Sequence, residues 1–527
     1  MSRGAAGRLV QAEALWSIRG RDGFPAAKDE EAWRQVVLFS EHTWGASDSV
    51  SNPDGEGPRA QWEYKKAFAE RAEKMSHELL AGAAVGAAGL IAERGRQAID
   101  VVNTCSWPRT DLVLVARALC QIGDRVEDET GAPVPSQRLR TGELAFVAKD
   151  VPGLGARRYF VGAGHADTMK PGRAVGNEVR NGTMRAIVDG MSGAVRSLVW
   201  TSAGTGRELV DAAKLPGLGH YLYVPGVDPG KAVSVSNAEL RVSERGPVVN
   251  SIVLRSDAPG AKGLLREYRF VEGLDRLDVA VTLDKEKVRE KEGVHIAFPF
   301  AVPGGAARVD VGWASVRPEA DQIEGACRDF FGARDSVDFS NGEFGVTWTS
   351  LDAPLVEIGA LTDETPRTSE RRVWLRKLEP STTLFSYAMN NYWHTNYTAD
   401  QEGPVILRYA VSPHLGSDPA TAKRRGLEAA TPLVAVAADP AAPTPRFPLT
   451  IEPGSIIATS LRPTADGQAW ILRLYNASAR PETLKLSGEA ADRGRVFLSD
   501  VDGAEGPSLP ASLEVPPSGI LTLRIIR

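Results

Sequence analysis

The 527-residue sequence is poor in cysteine, with Cys105, Cys120 and Cys327 as its whole complement. Thiols so few and so scattered exclude a disulfide scaffold and a four-cysteine zinc site, and they favour a reduced, cytoplasmic protein. Neither sign of charge is in large excess: Lys+Arg 62 against Asp+Glu 67 leaves a formal net charge of −5. A polybasic coat is thereby excluded, and no nucleic-acid partner is expected. Long apolar runs are missing too. The longest uncharged stretch, residues 79–92, is mostly Ala and Gly between Glu78 and Glu93, well short of the ~20 apolar residues that span a bilayer. No membrane partner is expected. The opening MSRGAAGRLVQAEALW starts basic, but Glu13 interrupts it before an apolar signal-peptide core can form.

Catalytic signatures are as scarce. There is no HExxH and no Gly-x-Ser-x-Gly elbow, and no glycine-rich turn lies between a strand and a helix. A Ser/His/Asp triad cannot be placed from spacing, and no repeat of fixed period is present. Asn181-Gly-Thr, Asn396-Tyr-Thr and Asn476-Ala-Ser match the glycosylation pattern, which without a secretion signal is most simply chance.

What is present is a globular balance, 43% hydrophobic and 24% charged, in a chain long enough for about three or four domains. The first hundred residues read as helix. Leu9, Ala12 and Trp16 mark a short leading helix; Asp29 is placed to cap a second, with Trp33, Val36, Val37 and Phe39 recurring at helical steps. A third starts near Gln61, with Tyr64, Phe68, Ala72, Met75 and Leu79 on one stripe. After Val101 the period changes to two. Leu277, Val279, Val281 and Leu283 alternate with Asp278, Ala280 and Thr282, the pattern of a strand with one buried face. Short runs at 112–115, 252–254, 355–358, 471–475 and 520–525 are further strands. With no βαβ alternation, packed antiparallel sandwiches are expected. The segment AADPAAPTPRFP, residues 437–448, reads as a Pro/Ala-rich linker before a C-terminal β module.

Two stretches concentrate chemistry. In FSEHTWGA, residues 39–46, Glu41, His42 and Trp44 follow a helix end, with Asp48 soon after. A histidine there is more often a cap or a solvated residue than a ligand, and no second histidine stands at ligand spacing. In MNNYWHTNY, residues 389–397, Asn390, Asn391, Trp393 and His394 crowd together with two tyrosines. Aromatic faces that stack on pyranose C–H groups, beside amides and imidazole for hydroxyls, suit a carbohydrate. The competing reading is an edge strand whose aromatics are simply packed. Asp400 and Glu402 share a face if they lie on a strand, but acids beside Gly403 and Pro404 are usually solvated loop residues.

These stretches resemble glycoside hydrolase family 38, the retaining α-mannosidases, in the part that follows the catalytic barrel. FSEHTWGA is similar to the family's His-bearing loop, and VVNTCSWPRTDLVLV, 101–115, to the first strands of its small sandwich. NEVRNGTMRAIVDGMSGAVRSLVW, 177–200, and RELVD, 207–211, resemble the start of the large one. VHIAFPF, 294–300, MNNYWHTNYTADQEGPVILRYAVSPH, 389–414, and ILRLYNAS, 471–478, carry the likeness on almost to the end of the chain.

The resemblance implies an α+β, mostly β fold: a three-helix bundle over 1–98, a small β-sandwich over 99–168, a large galactose-mutarotase-like β-supersandwich over 169–440 and a C-terminal β-sandwich module over 447–527. It implies a zinc-dependent hydrolase of α-D-mannosides, with an Asp nucleophile and a second carboxylate as acid and base, about 5 to 5.5 Å apart for retention. In that family the nucleophile and the other zinc ligands come from the N-terminal barrel, and the last ligand is the His that His42 matches. The catalytic carboxylates therefore have no assignment here. Zinc is expected only in an intact enzyme with the barrel, none for this chain alone. Thr43 stands where many members carry an Asp, and Trp44 also differs. The expected partners are a mannoside and, where the barrel is a separate chain, that chain. The alternatives are a non-catalytic carbohydrate-binding protein using Asn390, Asn391, Trp393 and His394, and a structural subunit whose bundle docks on a barrel.

Overall fold

The computed structural model describes the chain apart from residues 42–44, 86–91, 94, 167–172, 203, 205, 236, 365–373 and 393–395. Three helices lead: α1 (Ser2–Ile18), α2 (Ala26–Phe39) and α3 (Glu56–Ala84). Leu9 and Ala12 of α1, Ala32 of α2 and Leu79 of α3 meet in one apolar cluster, flanked by Trp33, Val36, Met75 and Leu80. Helix α1 is longer than the stripe Leu9, Ala12, Trp16 suggests, because it has a second buried side. Ala14, Leu15, Trp16 and Ile18 pack with Phe447, Leu461, Trp470 and Leu472 of the C-terminal module. Arg3, at the other end of α1, donates to the carbonyls of Ala333 (3.2 Å) and Ser350 (2.7 Å).

Two helix starts differ from the expected ones. Helix α2 opens after Pro25, whose carbonyl accepts from Lys28 and Asp29 N–H, so Asp29 sits inside the first turn and caps nothing. Its carboxyl is buried beside Glu13 of α1. Helix α3 opens at Glu56 after Gly55, one turn before Gln61. Pro58 is tolerated there because first-turn N–H groups have no helical partner. Val37 is exposed, so it does not belong to the buried stripe of α2.

Behind the helices the chain is β, and its paired strands run antiparallel. In a small sandwich, Arg96–Asn103, Gly155–Gly162, Arg125–Asp128 and Pro133–Val134 form one sheet, facing Arg109–Val115, Leu144–Val151 and Ser136–Arg138. Val113, Val115, Phe146, Tyr159 and Val161 fill the space between. A late strand, Val434–Ala437, returns to this sheet and pairs with Arg96–Asn103, Val102 opposite Val434. The small sandwich therefore takes a strand from the far end of the segment expected to be the large one. The run read as a linker is also pinned here: Arg158 reaches the carbonyls of Pro440 (3.3 Å) and Ala442 (2.6 Å), and Phe447 N–H donates to Leu154 (2.9 Å).

The large sandwich sets a nine-stranded sheet against a six-stranded one. Tyr268, Phe270, Phe298, Phe300, Phe339, Trp348 and Tyr409 lie in its core. The strand Leu277–Lys285 follows its alternation, with Leu277, Val279, Val281 and Leu283 buried and Asp278, Ala280 and Thr282 partly exposed. Helix α4 (Pro419–Ala430), capped by the Asp418 carboxylate on Ala420 N–H (3.0 Å), links this body to the returning strand. The glycosylation-like Asn181 and Asn476 are buried, their amides donating to backbone carbonyls of Val271 and Leu274, and of Arg480 and Val515.

Glu13 and Asp29 make the helical head sensitive to pH. Trp33 Nε1 donates to Glu13 Oε1 at 2.6 Å. Burial, then the Asp29 charge, raises the Glu13 carboxyl to about 8; burial raises Asp29 as well. Native Glu13 keeps a proton that the unfolded chain gives up in the ordinary range near 4.5. The native state thus binds more protons between roughly those values, and stability falls as pH rises through them. Glu13→Gln keeps an acceptor for Trp33 and removes the titration. It is expected to flatten the pH dependence and to stabilise the protein by about 1–2 kcal/mol at the alkaline end, read by urea unfolding at both ends of the window.

Candidate functional site

Described residues that flank the two stretches picked out in the sequence come together. His42, Trp393 and His394 themselves fall outside the described residues, but the chain on either side of them is placed. After residue 44 the loop turns onto α3: Ser49 Oγ donates to Ala46 O (2.7 Å) and accepts from Trp62 Nε1 (3.2 Å), while Lys65 Nζ reaches Gly45 O (3.2 Å). Gly45 lies against the backbone of Asn396, where any side chain would collide with the Asn396 carbonyl. Glycine is required there by close approach.

Arg289, between the strands Leu277–Lys285 and Glu292–Pro299, clamps the same junction. Its Nη1 and Nη2 bind the two Asp54 oxygens, each at 2.8 Å, and its Nε binds Asp400 Oδ2 at 2.8 Å. The guanidinium thus joins the loop between α2 and α3 to the loop after Thr383–Asn390. Hydrogen bonds from Arg289, then Arg59, hold the Asp54 carboxyl far below the usual carboxylate range. Asp400 is a loop residue spent on Arg289 and Glu402 is exposed, so the two do not form a pair on one strand face. Surface pairs add little stability; a bidentate fork with a third ligand fixes orientation.

Asn391 staples its own loop. Its Oδ1 accepts from Glu292 N–H (2.8 Å), and its Nδ2 faces the carbonyls of Glu290 (2.9 Å), Ala399 (3.2 Å) and Val288 (3.3 Å). Both amide hydrogens are therefore engaged by the backbone. Asn390 Oδ1 takes the Tyr392 N–H at 3.3 Å.

Below this face is a polar network absent from the sequence expectations. His295 Nδ1 bonds Glu357 Oε2 at 2.8 Å, and its ring stacks on Tyr387 at 4.7 Å between centroids and 14° between planes. Glu357 Oε1 accepts from Thr362 N–H at 2.7 Å. The Tyr392 hydroxyl and His295 Nε2 both hang over Gly293, at 2.8 and 2.9 Å from where a Cβ would be. Burial, then the charges of Glu364, Glu357 and Glu292, pushes the Tyr392 phenol up, so it stays neutral. Lys285 and Glu292 form a second pair at 2.8 Å with no exposure to water. His295 and Glu357 are themselves buried, which suits positioning of Tyr392 and its loop better than contact with a substrate. The signal in the sequence was a single acid or imidazole inside an apolar strand, LVEI and VHIAFPF.

Among the described residues, no group of three or more His, Cys, Asp or Glu side chains is arranged to hold a metal ion, and no helix is long and apolar enough to cross a membrane. No family model and no curated protein matches the sequence. Solved structures do match. An α-mannosidase from Enterococcus faecalis V583 superposes with a TM-score of 0.73 at 13% identity, over 99% of this chain and 66% of that one. A protein in the glycosyl hydrolase family 38 from Enterococcus faecalis gives 0.73 at 14% identity, over 99% of this chain and 69% of that one. The chain has their fold. It spans about two thirds of the first structure's length, and at this identity the likeness concerns architecture alone.

Arg289→Ala tests the clamp. Amide exchange over residues 396–402 and 46–55 is expected to quicken about 3- to 10-fold with the melting temperature nearly unchanged; exchange mass spectrometry reads the first and calorimetry the second.

Proposed function

We propose that the chain is the helical and β-sandwich portion of an α-mannosidase-like glycosidase, completed by a catalytic barrel outside these 527 residues. The observation that carries this reading is the meeting of the loop after His42 with the loop 396–402 at Gly45, Asp54, Arg289 and Asp400. Two segments far apart in sequence, each chosen for sugar or metal chemistry, are held as one surface. The superposition of 99% of the chain on an α-mannosidase supports the same reading.

In this proposal His42 is the chain's contribution to a zinc site, and Asn390, Trp393 and His394 form a wall against the mannoside. Bound zinc would hold and polarise sugar hydroxyls. One neutral imidazole binds zinc weakly beside a four-ligand site, and the described residues supply no metal cluster of their own. The barrel would bring the remaining ligands, the nucleophile and the acid. The work of this chain is then to orient: Arg289 sets the two loops, Asn391 fixes the backbone beneath Asn390, and the His295–Glu357 pair seats Tyr392.

The purified 527-residue chain is expected to hold well under one zinc per molecule and to release no nitrophenol from 4-nitrophenyl α-D-mannoside. Metal analysis by mass spectrometry and a chromogenic assay check both. Turnover abolished by a chelator and by His42→Ala would overturn the division of labour.

A further inference from the structure

A cavity whose lining residues lie outside both stretches of the His42 face has the chemistry of a ligand site. It measures about 350 Å³ and lies where the small sandwich, the large sandwich and α4 converge. Ligand pockets typically start near 300 Å³. One wall is rigid: Arg109 is almost wholly buried, and its guanidinium donates to the carbonyls of Glu428 (3.2 Å) and Thr431 near the C-terminus of α4. Asp111, also buried, lies 3.6 Å from Arg109 and 3.2 Å from Arg276, which in turn binds Asp278 at 2.8 Å. These groups are fixed by one another before any ligand arrives.

The lining decides the ligand class. Three guanidinium groups and three carboxylates line the cavity, so the wall carries no net charge, and Thr110, Thr183, Ser202 and Ser412 complete its polar lining. At the buried frame an anion would have to displace Asp111 from its arginines, and a cation would have to displace an arginine from Asp111, either of which leaves a buried charge unpaired; at the open rim Arg425 lies beside Glu428 and Asp275 carries the opposite charge, so no net charge there favours an ion. Pro108 and Leu274 are the apolar side chains of the lining, too few to form a bed for a lipid chain. A neutral polyol meets the wall without disturbing it, donating hydroxyl protons to carboxylates and accepting from guanidinium groups. Asp275 takes the Ser202 hydroxyl at 2.8 Å, and Arg425 reaches Glu428 at 3.2 Å. Both side chains have hydrogen-bonding capacity beyond those contacts, and both are partly open to water.

We propose that this cavity binds a neutral mono- or disaccharide, with Asp275 and Arg425 as its adaptable contacts and Arg109 and Asp111 as its fixed frame. The proposal does not rest on the mannosidase reading. Because the occupant would touch three parts of the fold at once, it is expected to raise the melting temperature of the whole chain.

The test is calorimetric titration of the full chain with methyl α-D-mannoside and with maltose, repeated in the presence of inorganic phosphate. Saturable binding of at least one sugar in the millimolar range is expected, undiminished by phosphate and weakened about tenfold or more in Asp275→Ala and in Arg425→Ala. Lys485→Ala, at an exposed position of the C-terminal module, should leave it unchanged. Melting curves without sugar show which variants keep the fold; if one melts early, the other carries the test. Absence of saturation with both sugars, displacement by phosphate, or loss of binding in Lys485→Ala with retention in the cavity variants would overturn the proposal.

Discussion

Residues 11–18 of α1 are buried without a break, so the second half of this helix has no face turned to water. One side packs on α2 and α3 and the other on the strand Ile456–Pro463 and its neighbours. Each large apolar side chain so enclosed contributes about 1.5–3 kcal/mol. Together they weld the helical head to the β body. The position of the loop between α2 and α3 follows from that weld, and with it the contact of Gly45 with Asn396 and the reach of Arg289 to Asp54. A head free to swing on this body would leave the two loops unrelated in space.

The body is stiffened by a different means. His295 with Glu357, Lys285 with Glu292, His414 with Asp338 and Lys423 with Asp310 are close pairs buried from water, each at 2.8 Å. Such pairs add little net stability once desolvation is counted, and they tolerate few alternative packings. Lys423 ties α4 to the large sandwich, and His295 shares the space over Gly293 with the Tyr392 hydroxyl. They occur where one element must be held at a particular offset from another.

Much of the β architecture was legible because sheets half-buried in a core show their period. Residues 277–283 alternate as their burial does, and 355–358 coincide with the strand Leu355–Ile358. The returning strand Val434–Ala437 was not legible: four small apolar residues beside an Ala/Pro run carry no period, and their partner lies over three hundred residues earlier. Helix starts were misread where a proline at a terminus and a buried acid mimic a cap, as at Pro25 and Asp29. For the site, the sequence marked the segments and the structure supplied their meeting. Asn391 shows the limit of reading residue types: an amide among aromatics suggests a sugar contact, whereas here its hydrogens go to neighbouring carbonyls.

The strand Val434–Ala437 also sets an order of events on the ribosome. In the sheet that contains Arg96–Asn103, the edge from Ile99 to Val102 is filled only after the whole large sandwich has been synthesised. Until then that edge is an unpaired row of N–H and C=O groups, open to pairing with another chain. Contacts so distant in sequence form slowly. The nascent small sandwich must therefore wait, with part of one flank bare, for a four-residue patch that emerges only after the large sandwich.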